Sequence, residues 1–323
     1  MKKIAFIGHD LKFIEHIIDY FKNNLNYEVQ IDQWQGHELH DEGQSLKIIE
    51  WADILFCEWG LGNVLWYQTH KKEHQKLFVR LHRFEMNTKF PSKFDYSKID
   101  QLIAISPYIF EEFYRVAGIP REKMQVVYNA IDTQRFNRPK QPESHFNLGI
   151  IGIVPKLKRI DRAVSIFEKL FEIDNRYKLF IKGKHPKEYS WVWNDEEQRS
   201  YYEKVFEKIE HSPLGKNVYI EGWGDVAEWL EKVGYVFSVS DYESFHMAPI
   251  EGIASGAYPL VLKREGVNTI FPNGVIFNNH EDIVNFILKK KEDNEINDLK
   301  DSIKRNYSLE KVCSDIDKLI NDF

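Results

Sequence analysis

The sequence predicts an α/β chain made of two parallel-sheet domains in tandem, and three observations predict it. Short apolar runs alternate with amphipathic segments along most of the chain, at the spacing of strand–helix–strand units. The alternation breaks once, at the polar, proline-containing stretch Arg138–Glu143 (Arg-Pro-Lys-Gln-Pro-Glu), and then restarts. At 323 residues, 43% of them hydrophobic and 29% charged, the chain is long and apolar enough to bury two cores. Two such halves leave a cleft between them, where ligands usually sit.

The elements follow in order. Ile4–Gly8 is a strand running into a turn. Leu11–Leu25 is an amphipathic helix carrying Phe13, Ile14, Ile17, Ile18, Phe21 and Leu25. Val29–Ile31 is a short strand, Leu46–Trp51 is helical, and Asp53–Cys57, Leu77–Leu81 and Gln101–Ile105 are strands. Ser106 caps a helix with Pro107 in its first turn and its end near Gly118; Met124–Tyr128 is a further strand. Past the break, strands are expected at Phe146–Ile153, Tyr177–Ile181, Val218–Glu221, Tyr235–Val239 and Tyr258–Leu262. Helices are expected at Ile160–Phe171, Ser190–Ile209, Val226–Val233, Pro249–Ala254, Glu281–Lys290 and Leu309–Ile320. This partitions the chain into domains at 1–140 and 141–307, with a final helix at 308–323 that can return to the first domain.

Composition excludes several function classes. A formal net charge of −6 argues against a dedicated nucleic-acid binder. Two cysteines, Cys57 and Cys313, cannot build a disulfide framework and point to a reducing, cytoplasmic setting. No run reaches the ~18–20 apolar residues of a membrane span, and Ile4–Ile7 is too short for an export signal. The turn Gly8-His9-Asp10 lacks the G-x-G-x-x-G of a dinucleotide site, and no phosphate-binding G-x-x-x-x-G-K-[ST] occurs. The histidines are scattered, with His37 and His40 expected in solvent, so no metal site is expected.

The most informative stretch runs from Ser240 to Ala257. It follows a strand, enters a helix closed by Gly256, and places seven residues between Glu243 and Glu251, one at the strand end and one on the helix. A carboxylate accepts hydrogen bonds from both hydroxyls of a vicinal diol, so each can grip a sugar ring. The amides of Ser244, Phe245, His246 and Met247 lie between them, at a helix start where anions are favoured.

This stretch resembles the E-x7-E donor motif of glycosyltransferase family 4, the retaining group with the GT-B fold. Ile105-Ser106, Gly118-Ile119-Pro120, Val126–Asp132 and Phe136 resemble the segment that closes that family's first domain, and Gly152–Asp161 resembles the start of its second. The likeness covers most of residues 100–275 and is weak before them. It implies a GT-B architecture, two Rossmann-like domains facing each other across a cleft. On it, Glu243 contacts the donor sugar, Glu251 binds the nucleotide ribose, and Lys158 faces the donor pyrophosphate. Where the family has Arg after its first glycine this chain has Ile153, and Arg159 stands ready to supply the missing guanidinium. His82 falls where the family has a histidine near the reacting carbon, and a neutral imidazole there can bond a sugar hydroxyl.

Other residues have plainer alternatives. Arg80 and Arg83 flank His82 and serve an anionic acceptor or, more simply, pair with Glu85 at the surface. His9 and the aromatic group Trp59, Trp66 and Tyr67 around Gly60–Asn63 are acceptor-side candidates, core packing being the ordinary alternative for the aromatics. Asn129 and Asp132 shape a hinge or an ordinary turn.

The expected function is therefore transfer of a sugar from a nucleotide-sugar donor to a hydroxyl of a glycan or lipid-linked glycan. No cofactor or metal is expected. No side chain is placed as a covalent nucleophile, so the resemblance implies front-face substitution with the leaving phosphate taking the acceptor proton, in a cleft closed against water. Bacterial surface polysaccharide synthesis, in the cytoplasm or at the inner face of the plasma membrane with peripheral association, is the family's common setting. Two alternatives stay open: a GT-B epimerase of a UDP-sugar, and a subunit that binds nucleotide-sugar without transferring it.

Overall fold

The computed structural model describes residues 1–289 and 295–323. These form two compact units, Met1–Ala130 with Asn306–Phe323, and Ile131–Arg305. The stretch Arg138–Glu143 is therefore not a linker. It lies inside the second unit, where Arg138 pairs with Glu231 at 3.1 Å and the Lys140 ammonium donates to the Leu230 and Val233 carbonyls at 2.6 and 2.8 Å. A polar composition alone does not separate a linker from a surface segment tied down by its side chains.

The first unit carries the strands β1 (Lys2–Gly8), β2 (Tyr27–Gln33), β3 (Ile54–Glu58), β4 (Lys76–Leu81), β5 (Gln101–Ala104) and β6 (Met124–Val126). They form one parallel sheet in the order β2-β1-β3-β4-β5-β6. Its helices are α1 (Glu15–Lys22), α2 (Glu42–Trp51), α3 (Gly62–His70) and α4 (Pro107–Ala117). α1 is shorter than the apolar period suggests, because Leu11 and Ile14 reach the core from a turn ahead of it. α4 has the termini its sequence asks for: the Ser106 hydroxyl accepts from the Ile109 amide at 3.2 Å, Pro107 opens the helix, and Gly118 closes it at φ +66°. One core joins Phe6, Ile17, Phe21 and Phe56 to Val312, Cys313, Ile316 and Leu319 of the last helix (Leu309–Asn321). Truncating Ile316 to Ala there is expected to cost about 2–5 kcal/mol.

The second unit carries β7 (Asn147–Ile151), β8 (Lys178–Lys182), β9 (Val218–Glu221), β10 (Tyr235–Ser238), β11 (Tyr258–Leu262) and the two-residue β12 (Ile276–Phe277). Its parallel order is β12-β11-β10-β7-β8-β9. Its helices are α5 (Thr133–Phe136), α6 (Ile160–Ile173), α7 (Ser190–Trp193), α8 (Glu196–Glu210), α9 (Val226–Leu230), α10 (Met247–Ala254) and α11 (His280–Lys289), then α12 (Glu295–Tyr307), whose last residues belong with α13 (Leu309–Asn321) to the first unit. The single helix expected over Ser190–Ile209 is two, because Asp195 caps a new start by accepting from the Gln198 amide. Lys290, the expected end of α11, lies outside the described residues. α3, α12 and β12 have no counterpart in the sequence reading.

In each sheet the chain reverses its direction of strand addition once, between β1 and β3 and between β7 and β10. The C-terminal ends of strands at such reversals are where open α/β sheets bind ligands. Three non-glycine residues with positive φ, Trp59 (66°), Arg159 (55°) and His246 (67°), follow those ends or open the helices after them. Among the described residues no helix is long and apolar enough to cross a membrane.

Candidate functional site

In the second unit the site is built from the loops after β7 and β10. β7 ends at Ile151, and after Gly152 the Ile153 side chain turns inward, 2% exposed, with its carbonyl accepting the Tyr202 hydroxyl at 2.6 Å. The side chain in the family's arginine position is thus a core residue. A single turn over Lys156–Lys158 presents the Lys158 ammonium, which donates to Glu243 Oε1 at 2.6 Å. Burial works to raise the Glu243 carboxyl, but His246, Lys158 and a Ser240 hydrogen bond outweigh it and hold the group down at about 2. Glu243 is a fixed anion.

Arg159 does not stand free. Its guanidinium donates to both Asp161 oxygens at 2.9 and 2.8 Å and to Asp241 Oδ1 at 3.1 Å. Arg162, which sequence reasoning passed over, also reaches Asp241 at 2.6 Å. A guanidinium answered by two carboxylates is a poorer partner for a diphosphate than an unpaired one.

His246 precedes α10, and Glu251 lies on that helix's second turn. Glu251 is half-buried, and no hydrogen bond reaches its carboxylate among the described residues. Burial raises it to about 7, against the pull of Arg135. Glu243 and Glu251 therefore differ in kind: one has its cation in place, the other lacks donors. The Phe245 side chain is core, 3% exposed, so only its backbone can serve a ligand. Ser244 and Met247 are half-buried at the same turn.

In the first unit His82 follows β4, and its Nε2 lies 2.8 Å from Glu58 Oε1 at the end of β3. Arg80 does not pair at the surface with Glu85: it is 0% exposed and donates to Glu58 at 2.7 Å and to Asn129 Oδ1 at 2.6 Å. Its strand is central, so the side chain must find its partner inside. Asn129 is thereby a ligand of Arg80, and Asp132 caps α5 through the Gln134 and Arg135 amides. Burial lowers the His82 ring pKa despite Glu58, so the imidazole is neutral, with its proton on Nε2 toward the carboxylate. Burial pushes Glu58 up, yet Arg80 and His82 overcome this and lower it. Glu85, also buried, accepts the Gly60 and His82 amides at 3.0 Å each and is raised to about 8 by burial.

Trp59 stacks on His82 with ring centroids 4.0 Å apart, and His9 lies 6.1 Å from Trp59 and 4.8 Å from His37. His82, Trp59 and His9 thus meet past the C-terminal ends of β4, β3 and β1, and Arg83 is half-buried beside them in sequence. Trp66 and Tyr67 do not join them. They lie on α3, Tyr67 fully buried and donating to Asp32 at 2.6 Å, Trp66 stacked on His70. His40 is not simply solvated: it stacks on Trp34 at 4.0 Å and lies 2.7 Å from the Ser45 hydroxyl. The signal that could have found the Glu58 network is a charged residue, Arg80, inside an otherwise apolar strand. Cys57 and Cys313 are free and buried. Among the described residues no group of three or more His, Cys, Asp or Glu is placed to hold a metal ion.

No family model matches the chain, and no curated protein matches it. Its two six-stranded Rossmann-like units have the GT-B fold, as solved glycosyltransferase structures show. The chain is similar to HepE from Anabaena, solved with UDP and with UDP-glucose, at a TM-score of 0.72 and 14% identity over all of both chains. It is similar to a glycosyltransferase from Rickettsia africae, at a TM-score of 0.75 and 14% identity over 99% of this chain and 98% of that one. Sucrose-phosphate synthase from Thermosynechococcus elongatus gives a TM-score of 0.73 at 13% identity, over 100% of this chain and 99% of that one. At such identities the likeness is one of fold.

Proposed function

We propose that the chain is a retaining, metal-independent glycosyltransferase that moves a hexosyl or related sugar from a nucleotide-sugar to a hydroxyl of a glycan or lipid-linked glycan. The observation that carries this is the contrast between the carboxylate ahead of α10 and the one on it. Glu243 is ionised and already paired with Lys158, whereas Glu251 is half-buried with no hydrogen-bond donor among the described residues. A ribose diol supplies the donors that Glu251 lacks. A diphosphate supplies the second anion that Lys158 can share, and the amides of Ser244–Met247 add to its binding. The fold likeness to HepE, solved with UDP-glucose, supports the reading.

In this scheme Lys158 stabilises the departing diphosphate, Glu243 holds the donor sugar, and the leaving phosphate oxygen takes the acceptor proton. His82 offers a neutral imidazole to a sugar hydroxyl, and His9, Trp59 and Arg83 serve the acceptor. Surface polysaccharide synthesis, at the cytoplasmic face of a membrane, is the setting we propose. A second reading, nucleotide-sugar binding without transfer, is favoured by the commitment of Arg159 to Asp161 and Asp241.

The test is a thermal-shift panel of UDP, GDP, CDP, ADP and their sugars, with and without EDTA, followed by NMR of the product's anomeric configuration. One nucleotide stabilises the protein by mass action, undiminished by chelator, and the product retains the donor's configuration. A product of inverted configuration, or stabilisation that chelator abolishes, overturns the proposal; binding with no product supports the second reading.

A further inference from the structure

His246 occupies a backbone conformation that favours glycine, φ +67°, yet carries a large side chain that is 7% exposed. Its surroundings are specific. The Arg264 guanidinium, two residues past β11, donates to the Ser238 hydroxyl at 2.9 Å and to the Ser238 carbonyl at 3.1 Å. A guanidinium only donates, so Ser238 Oγ accepts there and has its own proton to direct at His246 Nδ1, 2.7 Å away. In that arrangement Nδ1 is the unprotonated nitrogen, and the ring proton sits on Nε2. That nitrogen faces Glu243 Oε1 at 3.5 Å, the same oxygen that receives Lys158 at 2.6 Å.

We propose that His246, set in its Nε2–H tautomer by the Arg264–Ser238 relay, is a positioning residue that holds the Glu243 carboxylate in place once a diphosphate draws Lys158 away. The inference rests on the donor-site reading above. Without a ligand Glu243 has Lys158; with a diphosphate present, one ammonium must serve two anions. A buried carboxylate stripped of its partner swings or takes a proton. The imidazole N–H, 3.5 Å from the carboxylate, together with the Ser240 hydrogen bond, keeps it ionised and aimed. The relay also keeps the ring from adding a second charge: Lys158 and Arg264 face it as cations and Glu243 as the anion, while Nδ1 is occupied by the Ser238 proton.

Nitrogen-resolved NMR of the imidazole tests the relay without any ligand. The wild type should show the Nε2–H tautomer, unchanged from pH 8 to pH 5, and Ser238→Ala should let the ring take a proton within that interval. An Nδ1–H tautomer, or ordinary titration in the wild type, overturns the proposal. Calorimetry with UDP and UDP-glucose and turnover assays test the role. His246→Gly relaxes the backbone and removes the donor; UDP-glucose affinity and kcat should each fall roughly tenfold or more, with a smaller loss of UDP affinity. His246→Asn, which tolerates the left-handed conformation and keeps an N–H donor, should recover most of that loss. Equal UDP-glucose binding and turnover in wild type and His246→Gly overturns the positioning role. A wild type that binds neither UDP nor UDP-glucose, with the tautomer as stated, overturns the donor site instead.

Discussion

The Glu58 carboxylate, at the end of β3, is shared by two neighbours from β4 and its following turn: Arg80 donates to Oε1 at 2.7 Å and His82 Nε2 lies 2.8 Å from the same atom. Glu58 and Arg80 are both 0% exposed. Removing one partner strands the other charge away from water. Glu58→Ala is expected to lose about 3–5 kcal/mol in chemical denaturation, and the Glu58→Leu, Arg80→Met double variant to recover part of it. Because folding lowers the Glu58 pKa, its contribution is present above the unfolded carboxyl pKa and is lost as pH falls through the folded one. The wild type should lose stability on acidification more steeply than the double variant.

Glu85 has the opposite sign. Burial raises it to about 8, so the folded state holds a proton that the unfolded chain releases near 4.5. Stability from this group is complete below about pH 4.5 and declines as pH rises toward 8. Glu85→Gln keeps an acceptor for the Gly60 and His82 amides and removes the titration. Its melting temperature should exceed that of the wild type above pH 8, and the gap should close near pH 5. A gap that is constant with pH would show that Glu85 is not the group responsible.

Lys158→Ala and Glu243→Gln should separate binding from chemistry. With Lys158 gone the leaving diphosphate loses its cation, and kcat is expected to drop about 10²–10³-fold, the scale of removing one electrostatic donor. Glu243→Gln should affect the nucleotide-sugar far more than the free nucleotide. Titration calorimetry with both ligands, beside steady-state rates, checks the division. Equal loss for both ligands in Glu243→Gln would remove this residue from sugar recognition.

Glu251→Gln should trade stability against affinity. Burial raises Glu251 to about 7, so ionising it at higher pH works against folding, from about 4.5 upward. The variant is expected to gain on the order of 1 kcal/mol at pH 8 and to lose nucleotide affinity at least tenfold. In the wild type, affinity should rise from pH 6 to pH 8 as the carboxylate forms. A pH-independent affinity would argue against a diol bound through Glu251.

Local patterning carried much of the fold. The strand positions, the Ser106–Pro107 start and Gly118 end of α4, and the helix after Glu243 depend on residues close in sequence, and each lies where the pattern put it to within a few residues. α12 and α3 were hidden for a physical reason: α12 has the polar surface of an exposed helix, and α3 begins at Gly62, in a glycine-rich run that reads as a turn. The Lys158–Glu243 pair spans 85 residues, and it became legible only through the resemblance of the segments around each residue.

The sequence by itself determined the α/β class, the two tandem sheets and the strand–turn–helix that carries Glu243 and Glu251, because these follow from periodicity and capping within single segments. Only the tertiary structure decided where the charges go: Arg80 to Glu58 and Asn129, Arg159 to Asp161 and Asp241, Arg264 through Ser238 to His246. A charged side chain in a protein interior takes whichever partner the packing brings within reach, and that partner is set by which strands lie side by side, not by distance along the chain.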